Sequence, residues 1–174
     1  MSLLTCGAEM SVTLLFPEDA VVFGQHIAPE INDCLQRAVK SYERTEEAEN
    51  WLWAAQQLNP EQLEVYIALY KFYFYKYRLE DAERVARMAL EKCAQLGGFS
   101  ADWTVLTFSS ANWMKLSGAE RVYLYTLKAL AFIRLRRLDF AEGQRILEKL
   151  QELDPQDLVG SSVLSAVAAG LTLR

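Results

Sequence analysis

The residues that could carry out acid–base catalysis are one histidine, His26, and a run of carboxylates, Glu43, Glu46, Glu47 and Glu49. Such groups transfer protons when they lie beside a nucleophile or when two carboxylates divide the acid and base roles. A lone histidine in a short turn is typical of a structural or surface residue, and a run of charges on one helix turn is typical of solvated surface. We therefore predict that the chain has no catalytic residues and is not an enzyme.

The three cysteines, Cys6, Cys34 and Cys93, lie far apart in the sequence. They show none of the close-paired spacings of zinc sites or redox motifs, and the chain has no glycine-rich phosphate loop or nucleophile elbow. We expect no metal site and no cofactor. Isolated thiols in odd number are typical of reduced cysteines, which predicts a cytoplasmic location.

Composition argues for one folded domain, because 174 residues with 52% apolar content can bury a core. The formal net charge of -5 disfavours nucleic acid as a partner. A basic run at 134–137 keeps RNA open as a minor alternative. The apolar residues 12–16 are too short to span a bilayer, and no Lys or Arg precedes Arg37 as in a secretory signal, so we expect no membrane association.

An internal repeat is visible in three segments that have a small residue followed by apolar residues four and seven positions later. That spacing places the three side chains on one helical face, where small residues let a neighbouring helix approach closely. Each of the three positions in the first segment is separated from its counterpart in the second segment by the same number of residues, so the two segments follow one repeat length. The three sets are Ala48, Leu52, Ala55; Ala82, Ala86, Ala89; and Gly143, Leu147, Leu150. We therefore predict three helix pairs.

A second helix precedes each of these segments, and in the second unit Tyr66, Leu69 and Tyr73 form its apolar stripe. These residues resemble the tetratricopeptide repeat family, with repeats at 29–62, 63–96 and 124–157. The resemblance implies an all-α fold, an α-solenoid of antiparallel helix pairs. Two departures from the family pattern are Arg134, which stands in place of an aromatic residue, and Gly143, which stands in place of alanine.

The repeats are interrupted by an insertion at 97–123, which breaks the register between the second and third units. Trp103, Leu106, Ser110 and Trp113 would lie roughly on one side of a helix, so we predict an inserted helix. An extended conformation at 104–108 is the alternative. The sequence at 117–120 predicts a capping box that opens the next helix. Packing on the repeats is the expected role of the insertion, and Trp103 and Trp113 are candidate contacts with a partner.

The two ends differ in character. Residues 1–16 are predicted to be a low-order segment, and the helical domain is assigned to 17–174. Pro17 and Gly24 delimit a short leading helix. The closing helix is predicted at 157–171, and its outer face is not obviously polar. The sequence leaves three explanations open for that apolar face: it folds back into the groove, it is covered by a partner, or it forms a homodimer.

The family resemblance implies that the first helix of each pair lines a concave wall. A mixture of cations and aromatics on that wall would hold a segment of another protein. The candidate residues are Arg37, Lys40, Glu64, Ile67, Lys71, Phe74, Tyr75, Tyr125, Lys128, Phe132 and Arg136. For any single aromatic, packing in the core is the favoured interpretation and exposure on the wall is the alternative.

The expected function is that of a protein-binding adaptor or assembly factor. Size, acidity and three units are also similar to the cytosolic chaperones of bacterial type III secretion, which is one alternative. A regulatory subunit of an enzyme complex, contacting its partner through the insertion, is the other alternative.

Overall fold

The computed structural model describes residues 27–172, and every regular element in that range is helical. The prediction of an all-α protein is confirmed. The α-helices are α1 (Pro29–Lys40), α2 (Thr45–Leu58), α3 (Leu63–Tyr75), α4 (Leu79–Gly97), α5 (Ala119–Arg136), α6 (Phe140–Leu153) and α7 (Ser162–Thr172). Two short 3-10 turns, Trp103–Val105 and Phe108–Ser110, lie between α4 and α5.

Each helix packs against the next one in the chain, and α3 also contacts α5. These two helices are apolar almost all round, and ten residues of α3 and fourteen of α5 are buried. A helix that is apolar on every side must be covered on every side. The centre of the molecule is therefore built on α3 and α5, with the other helices around them.

The repeated small residues lie where the sequence places them, in the contacts between helices. Ala48 is 1% exposed, and Ala55, Ala82, Ala86 and Ala89 are 0% exposed. A methyl side chain at these points lets two helix backbones approach closely. The periodic positions thus belong to the core, as the sequence predicts.

Two turns of the chain, one after α3 and one after α5, share the same backbone hydrogen bonds. After α3, the N–H of Arg78 donates to the carbonyl of Tyr73 at 2.9 Å; after α5, the N–H of Asp139 donates to that of Arg134 at 3.0 Å. Before each donor lies a residue with positive φ, Tyr77 at 58° and Leu138 at 65°. This is the geometry in which a left-handed residue ends a helix. The number of residues between the two turns equals the number between Ala48 and Ala82 plus the number of residues in the insertion.

The prediction of an inserted helix is wrong, because residues 98–118 contain only the two 3-10 turns as regular structure. The side chain of Asp102 accepts a hydrogen bond from the N–H of Thr104 at 2.9 Å, and the N–H of Thr107 donates to the Ser110 hydroxyl at 2.9 Å. Such local bonds between side chain and backbone compete with the helical pattern. Short polar residues at these positions therefore favour turns over a helix.

Other predicted boundaries also shift. The third pair begins at Ala119 rather than at 124, and Gly118 precedes it without the side-chain hydrogen bond of the predicted capping box. The closing helix begins at Ser162 rather than at 157, because the Asp154 carboxylate accepts from the N–H groups of Leu158 and Val159, both at 2.9 Å, and holds a turn there. The low-order segment 1–16, the leading helix, His26 and Cys6 lie outside the described residues.

Candidate functional site

A cleft of about 780 Å³ lies between α1 and α3. On α1, Asn32, Leu35, Gln36 and Val39 follow the i, i+3, i+4, i+7 spacing of one helical face. The remaining lining residues are Ile27, Pro29, Ala38, Tyr42, Leu52, Ala68, Phe72 and Tyr75. Most of these side chains are apolar, and the polar ones are amides and phenols. The cleft is therefore suited to apolar groups, with a few hydrogen-bonding positions.

Exposure differs within the cleft. Val39 is 69% exposed and Tyr42 36% exposed, whereas Leu35 and Phe72 are buried. An apolar side chain exposed beside buried apolar neighbours gains most when a ligand removes it from water, at about 25 cal/mol per Å² of apolar surface. Val39, Tyr42 and Tyr75, which is 37% exposed, are therefore apolar residues of the cleft that a ligand would cover.

Tyr42 is fixed in the cleft by two ring contacts. Its ring meets that of Phe72 edge to face with centroids 6.0 Å apart, and the Lys76 ammonium lies 3.9 Å from its centroid. Burial and the nearby Glu43 carboxylate raise the pKa of Tyr42 above its ordinary value of 10.0. The phenol therefore remains neutral at physiological pH and can donate a hydrogen bond to a ligand.

Most of the predicted groove residues are in the core instead. Phe74 of α3 contacts Phe132 of α5, with ring centroids 5.1 Å apart, and the two residues are 5% and 7% exposed. Lys128 is 2% exposed and its ammonium donates to the Val159 carbonyl at 2.6 Å. The prediction of an exposed wall is wrong for Ile67, Lys71, Phe74, Tyr125, Lys128 and Phe132, all of which are buried. The physical reason for Phe74 and Phe132 is that α3 and α5 meet there, whereas Lys128 is covered by the chain at Val159.

The predicted wall residues of α1 are exposed but do not line the cleft. Arg37 pairs with Asp33 at 2.7 Å and lies 4.7 Å from the Trp51 ring of α2. Lys40 and Arg136 are exposed, and Glu64 is half-buried. Among the predicted residues, Tyr75 is the one that lines the cleft. The signal that could have found the cleft is the pair of Leu35 and Val39, one turn apart on α1.

The tryptophans of the insertion have packing roles. Trp113 is 1% exposed, its ring centroid lies 5.1 Å from that of Phe99, and its indole N–H donates to the Thr107 carbonyl at 3.0 Å. Trp103 is half-buried in a turn that contacts α6. Trp113 is therefore a core residue, and its prediction as a partner contact is wrong.

Residues 27–172 contain no group of three or more His, Cys, Asp or Glu side chains close enough together to bind a metal ion. None of the helices in this range combines the length and the apolar character that crossing a bilayer requires.

The chain is similar to the "Uncharacterized 19.8 kDa protein in nifW 5'region" of Azotobacter chroococcum mcd 1. The two are 31% identical over 159 residues, which cover 88% of this chain and 86% of the relative. The chain belongs to the family of that protein. No family model and no solved structure matches the chain.

Proposed function

We propose that this chain is a repeat protein of the tetratricopeptide type, an α-solenoid of helix pairs, that holds a segment of another protein in the cleft between α1 and α3. The observation that carries the proposal is the apolar cleft itself, of about 780 Å³, with Val39 and Tyr42 exposed in it. Apolar clefts with a few polar groups are the usual form of a binding site. The function is that of an adaptor or assembly factor.

Two separate observations support the repeat architecture: the spacing of buried alanines and the spacing of two turns. The buried alanines of α2, Ala48 and Ala55, recur on α4 as Ala82 and Ala89 after one constant step in sequence. The turns that end α3 and α5 make the same backbone hydrogen bonds. Their separation in sequence equals that repeat length plus the residues of the insertion. A chain that repeats both its packing and its turns repeats a structural unit. In such proteins the first helices of neighbouring pairs lie side by side, and here α1 and α3 both line the cleft.

The chemistry of the cleft indicates a segment with apolar side chains spaced along one face. Val39 and Phe72 offer apolar contact, while the amides of Asn32 and Gln36 and the Tyr42 phenol can bond to backbone groups of the bound chain. Aromatic and apolar anchors dominate the free energy of binding in protein interfaces. A helical or extended segment with two or three apolar anchors fits this description.

The RNA alternative is disfavoured by the ion pairs of the basic run. Arg134 and Arg137 both contact the Glu83 carboxylate, so two of the three cations at 134–137 are neutralised within the fold. A phosphate backbone needs clustered cations that can release their counterions on binding. Arg136 alone does not supply such a cluster.

The test compares two Val→Asp variants of the full chain in affinity capture from native extract. Val39→Asp places a charge in the cleft, whereas Val105→Asp places the same charge on the insertion at a site that is 60% exposed. We expect partners bound by wild type to be lost with Val39→Asp and retained with Val105→Asp. The opposite result supports a regulatory subunit that contacts its partner through the insertion, and an equal result for both variants rejects the cleft as the site.

A further inference from the structure

We propose that Tyr77 and Leu138 are the apolar contacts of a second binding surface, which takes an acidic amphipathic helix of another protein. This turn surface consists of Tyr77 and Leu138 together with the cations Lys76 and Arg136. None of the four residues lines the cleft. The inference therefore goes beyond the proposed function and does not depend on it.

The first argument is the backbone conformation of the two apolar residues. Tyr77 and Leu138 occupy equivalent turns with φ angles of 58° and 65°, in the left-handed region that disfavours a Cβ. The other non-glycine residue with positive φ in the described range is Asp157, whose carboxylate accepts a hydrogen bond from the Ser162 hydroxyl. Aspartate is tolerated in this conformation, whereas bulky residues are not. Tyrosine and leucine are therefore the exceptions.

The second argument is that the fold gains little from either side chain. Tyr77 is 77% exposed and Leu138 is 74% exposed, so burial does not offset the backbone cost. Glycine would form the same turns without that cost. Binding sites commonly hold residues that lower the stability of the fold. The same combination at two equivalent turns indicates a common role, and contact with a partner is a role that exposed apolar groups serve.

The two turns are neighbours in space. The guanidinium of Arg137, which precedes Leu138, lies 3.3 Å from the carboxylate of Glu80 at the start of α4, just after Tyr77. The helices that lead into the turns, α3 and α5, are also in contact. Packed helices lie about 8–10 Å apart, which is close to the rise of two turns of an α-helix. Tyr77 and Leu138 can therefore contact side chains two turns apart on one partner helix.

The charges beside the two apolar residues favour an acidic partner. Arg78 and Arg137, in the same turns, already have carboxylate partners. Lys76 and Arg136 form no ion pair within residues 27–172, and the Lys76 ammonium lies over the Tyr42 ring. The turn surface is thus locally positive although the whole chain has a formal net charge of -5. Glutamates between the apolar residues of a helix would complement it.

The turn between α1 and α2 does not extend this surface. It carries Lys40 and Glu43, whose opposite charges cancel, and its aromatic residue, Tyr42, lines the cleft. None of residues 41–44 has a positive φ. The turn surface is therefore confined to the turns that follow α3 and α5.

The first experiment measures the binding of a designed peptide to the purified full chain by fluorescence anisotropy. The peptide is a labelled helix of alanine and glutamine that carries two leucines two turns apart and glutamates on the same face. We expect it to bind about tenfold more tightly than the same peptide with lysines in place of the glutamates. Equal affinity for the two peptides, or no binding of the acidic one, overturns the inference.

Glycine variants separate a role in binding from a role in folding. Tyr77→Gly and Leu138→Gly remove the side chain and relieve the backbone, so each should unfold at a higher temperature yet bind the acidic peptide about fivefold more weakly. Leu58→Ala, at the far end of α2 where the side chain is 56% exposed, should leave peptide affinity unchanged. Glycine variants that unfold at a lower temperature, or that bind as wild type does, overturn the inference.

Two other occupants are distinguished by direct measurement. Vesicles of phosphatidylcholine and phosphatidylserine are sedimented with wild type and with the double variant Tyr77→Gly, Leu138→Gly. Co-sedimentation of wild type alone would replace the inference with membrane binding. A dimer in analytical ultracentrifugation that the double variant loses would replace it with self-association. We expect neither result.

The turn surface and the cleft can fail separately. Val39→Asp changes the cleft and should leave the affinity for the acidic peptide unchanged, whereas Tyr77→Gly and Leu138→Gly should weaken it. Loss of peptide binding with Val39→Asp would place the peptide in the cleft and overturn the inference. Loss of native partners with Val39→Asp tests the cleft alone.

Discussion

The guanidinium of Arg134 on α5 donates a hydrogen bond to the Glu83 carboxylate of α4 at 2.8 Å. The Nε atom of the same group lies 2.6 Å from the Glu142 carboxylate of α6, and the Arg134 side chain is 17% exposed. One side chain thereby joins three helices. An ion network therefore links α4, α5 and α6 at this point.

Removing Arg134 should destabilise the fold strongly. Arg134→Met keeps much of the side-chain volume but leaves two carboxylates partly buried without their shared partner, and breaking a buried pair in this way costs about 3–5 kcal/mol. Glu83 keeps Arg87 and Arg137, so we expect about 2–3 kcal/mol lost from the free energy of unfolding, measured by urea denaturation. Arg136→Met, on the exposed face of the same helix, should change it by less than about 0.5 kcal/mol.

Acid should weaken the same network. Burial alone would raise the pKa of Glu83, but hydrogen bonds from Arg134, Arg87 and Arg137 outweigh it and hold the pKa below its ordinary value of 4.5. The stabilisation from a lowered carboxyl pKa is complete above the unfolded value and is lost as the pH falls through the folded value.

The free energy of unfolding of wild type should therefore decline as the pH falls below about 4.5, and that of Glu83→Gln should decline less steeply. Glu91→Gln, an exposed change on the same helix, serves as the control and should follow wild type. Parallel pH profiles for wild type and Glu83→Gln would contradict this role of Glu83.

Gly143 on α6 is required by close packing against α5. A Cβ at this position would lie 2.8 Å from Cδ2 and 2.9 Å from Cγ of Leu135, which is buried. We expect Gly143→Ala to destabilise by about 1–2 kcal/mol, because overpacking exceeds the helix-propensity gain of alanine. In a Leu135→Ala background the same change should be neutral or stabilising, which a double-mutant cycle by thermal denaturation would detect. Additive effects would show that the contact is not the cause.

Leu138 is a site where glycine should stabilise the protein. Its φ of 65° is in the left-handed region, and its side chain is 74% exposed, so little packing would be lost on removing it. Leu138→Gly should raise the free energy of unfolding by about 1 kcal/mol, since a Cβ is disfavoured in this conformation. Leu138→Ala keeps the Cβ and should give no gain. Equal effects of glycine and alanine would rule out the backbone explanation.

The insertion shows where sequence reasoning reached its limit. Apolar spacing from Trp103 to Trp113 suggested a helix, yet the structure uses the same residues as anchors of an irregular segment. Trp113 is buried because the segment folds back so that the Trp113 ring meets those of Phe99 and Tyr123, at the two ends of the insertion. Helical periodicity carries no information about contacts made by such a fold-back.

The sequence by itself determined the helices and their pairing, because small residues at fixed spacing report which helical faces must meet at short distance. It could not determine which faces of the first helix in each pair remain exposed to solvent. Phe74 is buried because α3 and α5 pack together, and Lys128 is covered by the chain at Val159. Val39, in contrast, is exposed at the cleft between α1 and α3. The sequence contains the same apolar residue types on buried and on exposed helix faces. The cleft could therefore be located only from the tertiary structure, in which one face is covered and the other is exposed.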